Sequence, residues 1–291
     1  LAYLRGRDTG RWGWSWLLSP GLFLISLLVK DMALVLPLVL VLLEGMGPDC
    51  GRKALTAPLP HGLLAGLGGA ALVLHSGYRS FLENSFGLRG PGEQLRGALE
   101  GLGYLFSKLV WPVGLNLDPP LAVPAAWNLR LVGTALAAAA VLGTGLWALQ
   151  RQRWVGFSLC WGLLLLLPTQ GPVPRLDLAN ERHLYLALAG FAFGAAGLVS
   201  RLPRGLWALV GCGLTVALGL ATARRVQDYR DEVSLWRASL RVAPENARAW
   251  NNLGVALHQQ GQREAACDAF QEALRRRPGY RLAEKNRRSV E

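Results

Sequence analysis

Charge is scarce in this chain. Only 17% of its 291 residues are charged, against 52% hydrophobic, a balance that argues against an ordinary water-soluble domain. Cysteine is sparse as well: Cys50, Cys160, Cys212 and Cys267 are scattered and form no CxxC or CxxH pair. Neither a zinc site nor a disulfide framework is indicated, and Cys160 and Cys212, inside apolar segments, read as small core residues. There is no GxSxG, HExxH, P-loop or dinucleotide fingerprint, so spacing assigns no catalytic residue and no metal ligand. The chain opens on Leu1, and no signal peptide precedes its first apolar stretch; we expect a fragment of a longer protein.

Long apolar runs are abundant. Seven candidate membrane spans fall at 13–29, 32–46, 61–77, 129–149, 154–168, 184–200 and 205–222. Several are short for a hydrocarbon core of about 30 Å, which suits a packed bundle with polar ends facing a cavity. The net charge of +12 sits mostly in short loops and in the tail, where lipid headgroups and topology signals account for it; nucleic acid is not an expected partner. One side of the bundle receives Arg5, Arg7, Arg11, Arg52, Lys53, Arg151, Arg153, Arg201 and Arg204 and is expected to be cytoplasmic. The opposite, extracytoplasmic side then holds Lys30-Asp31, the 78–128 connection, the 169–183 loop and everything after Arg225.

Within the long connection, residues 93–110 place Leu95, Leu99, Leu102, Leu105, Phe106 and Leu109 on one stripe, which predicts an amphipathic helix at the membrane surface. Composition changes after Arg224-Arg225. Trp250-Asn251-Asn252-Leu253-Gly254, Ala266, Phe270, Ala273 and Pro278 carry the spacing of one tetratricopeptide repeat (TPR). The organisation expected is a transmembrane helix bundle over 1–223 and a TPR domain over 224–291. The latter divides into a partial repeat 229–246, a full repeat 247–280 and a polar capping helix 281–289, all-α throughout. In the tail, Trp250, Asn251, Leu253 and Gly254 form the candidate partner-binding scaffold.

Two polar constellations could carry chemistry. Lys30-Asp31 lies between two apolar spans with almost no loop. It is either a helix corner whose lysine snorkels to the headgroups or an anion site for a lipid-linked phosphate. Glu181-Arg182-His183-x-Tyr185 opens the sixth span; it could bind a phosphate or polyol, or form an internal ion pair that fixes the bundle. His183 has only a weak claim as a base, and His61, His75 and His258 have none. The carboxylates on the expected reaction side, Asp31, Glu83, Asp118, Asp177 and Glu181, form no pair in sequence.

Several stretches in order are similar to one family. They are Leu27-Leu28-Val29-Lys30-Asp31 leading to Val35-Leu36-Pro37-Leu38, and Trp111-Pro112-Val113-Gly114-Leu115-Asn116-Leu117-Asp118-Pro119. Next come Leu167-Pro168, Glu181-Arg182-His183-Leu184-Tyr185-Leu186 and Gly190-Phe191, with a Trp-bearing helix and TPR units after them. Together they resemble the transmembrane-and-TPR protein O-mannosyltransferases and their bacterial relatives, within the GT-C glycosyltransferases. The resemblance implies a polytopic enzyme that uses a polyprenyl- or dolichyl-phosphate-linked sugar on the extracytoplasmic face, with metal dependence open. It places Lys30 and Arg182 near the donor phosphate, with Asp31 and Glu181 orienting them or lining the pocket, and counts Tyr185 among the donor-binding residues. Asp31 stands where the family more often has Glu. The family's acidic catalytic motif would lie upstream of these residues, so the catalytic base stays unassigned.

The expectation is therefore a multi-pass glycosyltransferase, in a bacterial inner membrane to judge from the Leu/Ala/Gly/Arg-heavy composition. Its partners would be membrane lipid, a lipid-linked sugar and an acceptor polypeptide held by the TPR tail. Two rivals share the same features: a membrane-anchored TPR scaffold without enzymatic activity, and a polysaccharide ligase or polymerase.

Overall fold

The computed structural model describes residues 2–9, 13–29, 31–46, 56, 58–171 and 173–290. Most of these residues are helical, with no strand among them, and the chain divides into two compact units. The first comprises Leu1–Tyr104, Val123–Leu178 and His183–Val199; the second comprises Leu105–Ala122, Ala179–Arg182 and Ser200–Glu291.

The helices of the first unit are α1 (Ala2–Thr9), α2 (Ser19–Val29), α3 (Leu36–Gly45), α4 (Leu59–Leu74), α5 (Ser76–Leu88), most of α6 (Pro91–Val110), α7 (Leu129–Arg151), α8 (Arg153–Leu164) and α9 (Leu184–Val199). A Leu/Ala-rich run and a good cap produce α7: the Asn128 side chain accepts the Leu131 amide at 3.0 Å, satisfying one of the orphan donors of the first turn. Gln152 alone separates α7 from α8, so the two helices form a tight hairpin. Against α8 lies α9, at backbone contact. A Cβ on Gly190 would sit 2.8 Å from the Gly162 nitrogen, closer than real Cβ contacts allow. Small residues at such crossings let helices touch without side chains between them. Cys160 and Ala187 are buried in this layer.

Among the described residues, three helical stretches are long and apolar enough to cross a membrane: Leu129–Arg151, Glu181–Val199 and Arg204–Asp228. They become four if Leu59–Ala71 and Ser76–Leu88, which meet at 84°, count as one broken span. The expected span at 61–77 thus turns sharply at its end, where His75 adopts extended backbone and interrupts the ladder. The expected span at 154–168 is helical only to Leu164 and passes into turns. Trp16–Val29 and Ala33–Gly45 are shorter apolar helices.

In the second unit, α10 (Arg204–Asp228) runs unbroken through Arg224-Arg225 and buries none of its residues. Its apolar surface is therefore left for lipid to solvate. Cys212, expected in a core, is exposed on this helix; none of the described residues covers that surface. Three helices follow: α11 (Glu232–Val242), α12 (Ala247–Gln259) and α13 (Arg263–Arg276). Asp231 caps α11 by accepting the Ser234 amide at 2.8 Å, and Pro244 follows its end. Leu253, Leu257, Ala266 and Phe270 interdigitate with Val233 and Leu240 to form the core of the repeat. The last helix, α14 (Arg281–Val290), buries only Ala283 and Val290.

The two glycine environments allow a controlled test. Gly190→Leu is expected to cost about 1–3 kcal/mol by overpacking and to lower the thermal midpoint of the detergent-solubilised protein. Gly211→Leu on α10, where nothing lies within 4 Å, should leave that midpoint unchanged.

Candidate functional site

The second unit fastens two loops to the first helices of its tail. Asn116 is buried and donates from Nδ2 to the Ser239 carbonyl on α11 at 3.2 Å, while its Oδ1 accepts the Asp118 amide at 3.0 Å. That turn delivers the Asp118 carboxylate to α12. Arg248 donates to Asp118 Oδ2 from Nε at 2.7 Å and to Oδ1 from Nη2, a two-point clasp. Asn246 adds a donor to Oδ2 at 3.0 Å and another to the Asp118 carbonyl at 2.8 Å. The same Asn246 caps α12 by accepting the Arg248 and Ala249 amides at 3.0 and 3.1 Å. Asp118 is only 6% exposed, and a buried carboxylate so fully engaged acts as an anchor.

The second loop is tied in by Asn180, whose Nδ2 donates to the Leu117 carbonyl at 2.6 Å and whose Oδ1 accepts the Arg182 amide at 3.0 Å. Next to it, Glu181 receives Arg225 Nη2 at 2.6 Å and the Tyr229 hydroxyl on the same oxygen, Oε1. Arg225 also donates to Asp228 Oδ2 at 3.0 Å and lies over the Tyr229 ring. Asp228 in turn accepts Arg241 of α11 at 2.6 Å. Burial first, and the hydrogen bond to Glu181 second, push the Tyr229 phenol up to about 12, so it stays a protonated donor at neutral pH. The other oxygen of Glu181, Oε2, is buried with no partner among the described residues.

Lys30 lies outside the described residues, as does the side chain of Asp31, which begins a 3-10 turn over Asp31–Val35. Glu181 pairs with Arg225 and Tyr229 and not with its neighbour Arg182. The Arg182 side chain is exposed, with no ion pair among the described residues. Tyr185 is 79% exposed. In the tail, Trp250 donates from its indole to the Pro244 carbonyl at 2.8 Å. Leu253 is buried in the repeat core, and a Cβ on Gly254 would meet the Phe270 ring at 2.6 Å. Asn251 is 1% exposed and accepts Asn286 Nδ2 of α14 at 3.0 Å. Asn251, Leu253 and Gly254 thus hold the hairpin together rather than face a partner. Sequence reasoning passed over Arg225, Tyr229, Asn180, Asn246 and Arg248. The one available signal was Glu181 itself, since a carboxylate at a membrane boundary requires a cation.

Several clefts of the first unit, among the described residues, border one run of chain. A groove of about 380 Å³ between α3, α6, α7 and α8 is almost wholly apolar, with Leu42, Leu142 and Leu163 on its walls and Gln170 the one polar side chain lining it. A cleft of about 590 Å³ is lined by Arg89, Gln94 and the same Gln170. A third, of about 460 Å³, is lined by Tyr78, Phe81, Leu167 and Arg175. Arg89 Nη1 donates to Gln94 Oε1 at 3.2 Å, and its Nη2 to the Arg175 carbonyl. Both partners are neutral. Burial pulls its guanidinium below the ordinary value, with Glu93 partly offsetting this. No group of three or more His, Cys, Asp or Glu that could hold a metal occurs among the described residues.

Removing one member of a largely buried ion pair leaves the other short of its charge partner. Arg225→Met is expected to destabilise the protein by roughly 3–5 kcal/mol, and adding Glu181→Gln to it should recover part of the loss. Thermal unfolding of the single and double variants checks this; a double variant no more stable than Arg225→Met would contradict the pairing.

The tetratricopeptide repeat family model matches residues 222–281. Protein O-mannosyl-transferase Tmtc2 of Drosophila melanogaster is 39% identical over 104 residues, which is 34% of this chain and 11% of the fly protein. Human protein O-mannosyl-transferase TMTC2 is 35% identical over 102 residues, 32% of this chain and 12% of the human one. Protein O-mannosyl-transferase F38B6.6 of Caenorhabditis elegans is 28% identical over 179 residues, 59% of this chain and 26% of the worm protein. The matched stretch thus spans about a tenth to a quarter of each relative. No solved structure matches. Helices long and apolar enough to cross a membrane, the repeat and these relatives agree: the chain is similar, over about a third of its length, to protein O-mannosyl-transferases of the transmembrane-and-TPR family.

Proposed function

We propose that this chain is part of a membrane glycosyltransferase that takes a sugar from a polyprenyl-phosphate carrier and passes it to a polypeptide on the extracytoplasmic face. One observation carries the reading. In the first unit, an apolar groove and a cleft bearing a poorly neutralised arginine share Gln170 in their lining. A lipid phosphate needs both environments, hydrocarbon for its chain and fixed positive charge for its head. That charge also stabilises the phosphate as the sugar departs. Arg89 supplies the charge and Gln170 marks where groove and cleft adjoin. The family resemblance adds Lys30, Asp31, Arg182 and Tyr185 as further residues we assign to the donor. Glu181 positions the Arg182 turn through Arg225.

The names of the relatives support a sugar transferred to protein hydroxyls. The choice of mannose, the polypeptide acceptor and the membrane face are part of the proposal. The reading assigns no general base.

Transfer from radiolabelled polyprenyl-phosphate mannose, measured in membranes expressing the protein, is the test. Arg89→Met and Lys30→Ala are each expected to reduce transfer by at least about tenfold, a loss of one charge-assisted contact to phosphate. The protein should remain inserted and should melt normally. Undiminished transfer by both variants would remove the donor assignment.

A further inference from the structure

The cleft of about 460 Å³ in the first unit has no part in the donor reading as it stands. Tyr78 and Phe81 of α5 form part of its wall. They are three positions apart and so share one helix face, with ring centroids 5.7 Å apart and planes at 38°. Half-buried Arg175 is the one charged residue among those lining this cleft, and its carbonyl accepts Arg89 of the neighbouring cleft. Gly171 lines both of these clefts, and Leu167 lines both the aromatic cleft and the apolar groove.

We propose that the aromatic cleft is the subsite for the hexose on the lipid phosphate, and that through it the protein tells the loaded carrier from the spent one. The inference rests on the donor reading and adds specificity-determining residues to it. A hexopyranose has an apolar face, whose C–H groups favour the negative face of an aromatic ring. Its hydroxyl oxygens accept from a guanidinium. Tyr78 and Phe81 meet the first need and Arg175 the second. A hydrocarbon chain gains nothing from Arg175, whose charge is costly beside lipid. Sugar and phosphate share one ester oxygen, so their subsites must adjoin, as the two clefts do at Gly171. The spent carrier is a phosphate monoester and the loaded carrier a diester. At neutral pH the monoester bears the greater negative charge, so Arg89 alone favours the product. Contacts to the sugar offset that preference, and they vanish when the sugar leaves.

The experiment uses the whole chain in lipid nanodiscs, with radiolabelled polyprenyl-phosphate mannose and radiolabelled polyprenyl phosphate as probes. Phe81→Leu keeps an apolar side chain and removes the ring. It is expected to weaken binding of the mannose-bearing probe about fivefold. The sugar-free probe should bind within about twofold of its affinity for the unaltered protein, which also shows that the variant is folded. Phe81→Tyr keeps a ring and should bind both probes as the unaltered protein does, whereas Arg89→Met should weaken both. An equal loss for the two probes in Phe81→Leu would make Phe81 a hydrocarbon contact and overturn the sugar subsite. So would an undiminished affinity for the mannose-bearing probe, or a Phe81→Tyr variant as impaired as Phe81→Leu. Each of these results leaves the donor reading standing. Failure of the unaltered protein to bind either probe, or an Arg89→Met variant that binds both normally, overturns the donor reading and the subsite with it.

Discussion

A carboxylate removed from water must be given its partners, and Asp118 is given three donors by two residues of one helix. That requirement organises the second unit. Arg248 and Asn246 cannot reach Asp118 unless α12 starts where it does, and Asn246 fixes that start by capping the helix with its own side-chain oxygen. The loop cannot deliver Asp118 unless Asn116 turns it and grips α11. One ion pair, two asparagines and a helix cap thus set the same geometry. Removing any member leaves a buried polar group unpaired, at a cost of a few kcal/mol.

The Glu181 turn extends the logic toward lipid. Asn180 ties it to the Leu117 carbonyl, next to Asp118, and Arg225 ties it to the last turn of α10. A cation in the last turn of a helix is favoured by the dipole, and here it also neutralises a carboxylate on another segment. The tail is therefore more than an appendage after a membrane helix. Its first helices hold two loops whose Asn-Leu-Asp and Glu-Arg motifs are among those on which the family resemblance rests. Arg182, unlike its neighbour, is left exposed, so the turn presents a cation while burying the anion that positions it.

What the sequence revealed follows from which forces are local. The repeat hairpin was legible because Trp250, Leu253, Phe270 and Ala273 recur at helical spacing, and burial on one helix face is a property of spacing. The long apolar helices at 129, 184 and 204 were legible for the same reason. Partner choice was not, because it is tertiary: Glu181 and Arg225 stand 44 positions apart, and Arg225 read as a boundary marker after an apolar run. Asn251 and Gly254 carried the right motif and the wrong role, since motif spacing does not say which face a neighbouring helix will cover. Cys212 shows the converse. Apolar surroundings in sequence suggested a core, whereas the apolar run of α10 is left exposed.

The account depends on the two loops being held from the tail through Asp118. Hydrogen exchange read at single amides tests this most directly, because the Asp118 amide is bonded to Asn116 and the Arg182 amide to Asn180. In Asp118→Ala, both amides are predicted to lose protection together, by roughly tenfold or more, while α7 to α9 exchange as before. Unchanged protection at residues 118 and 182, with faster exchange confined to the start of α12, would contradict the account.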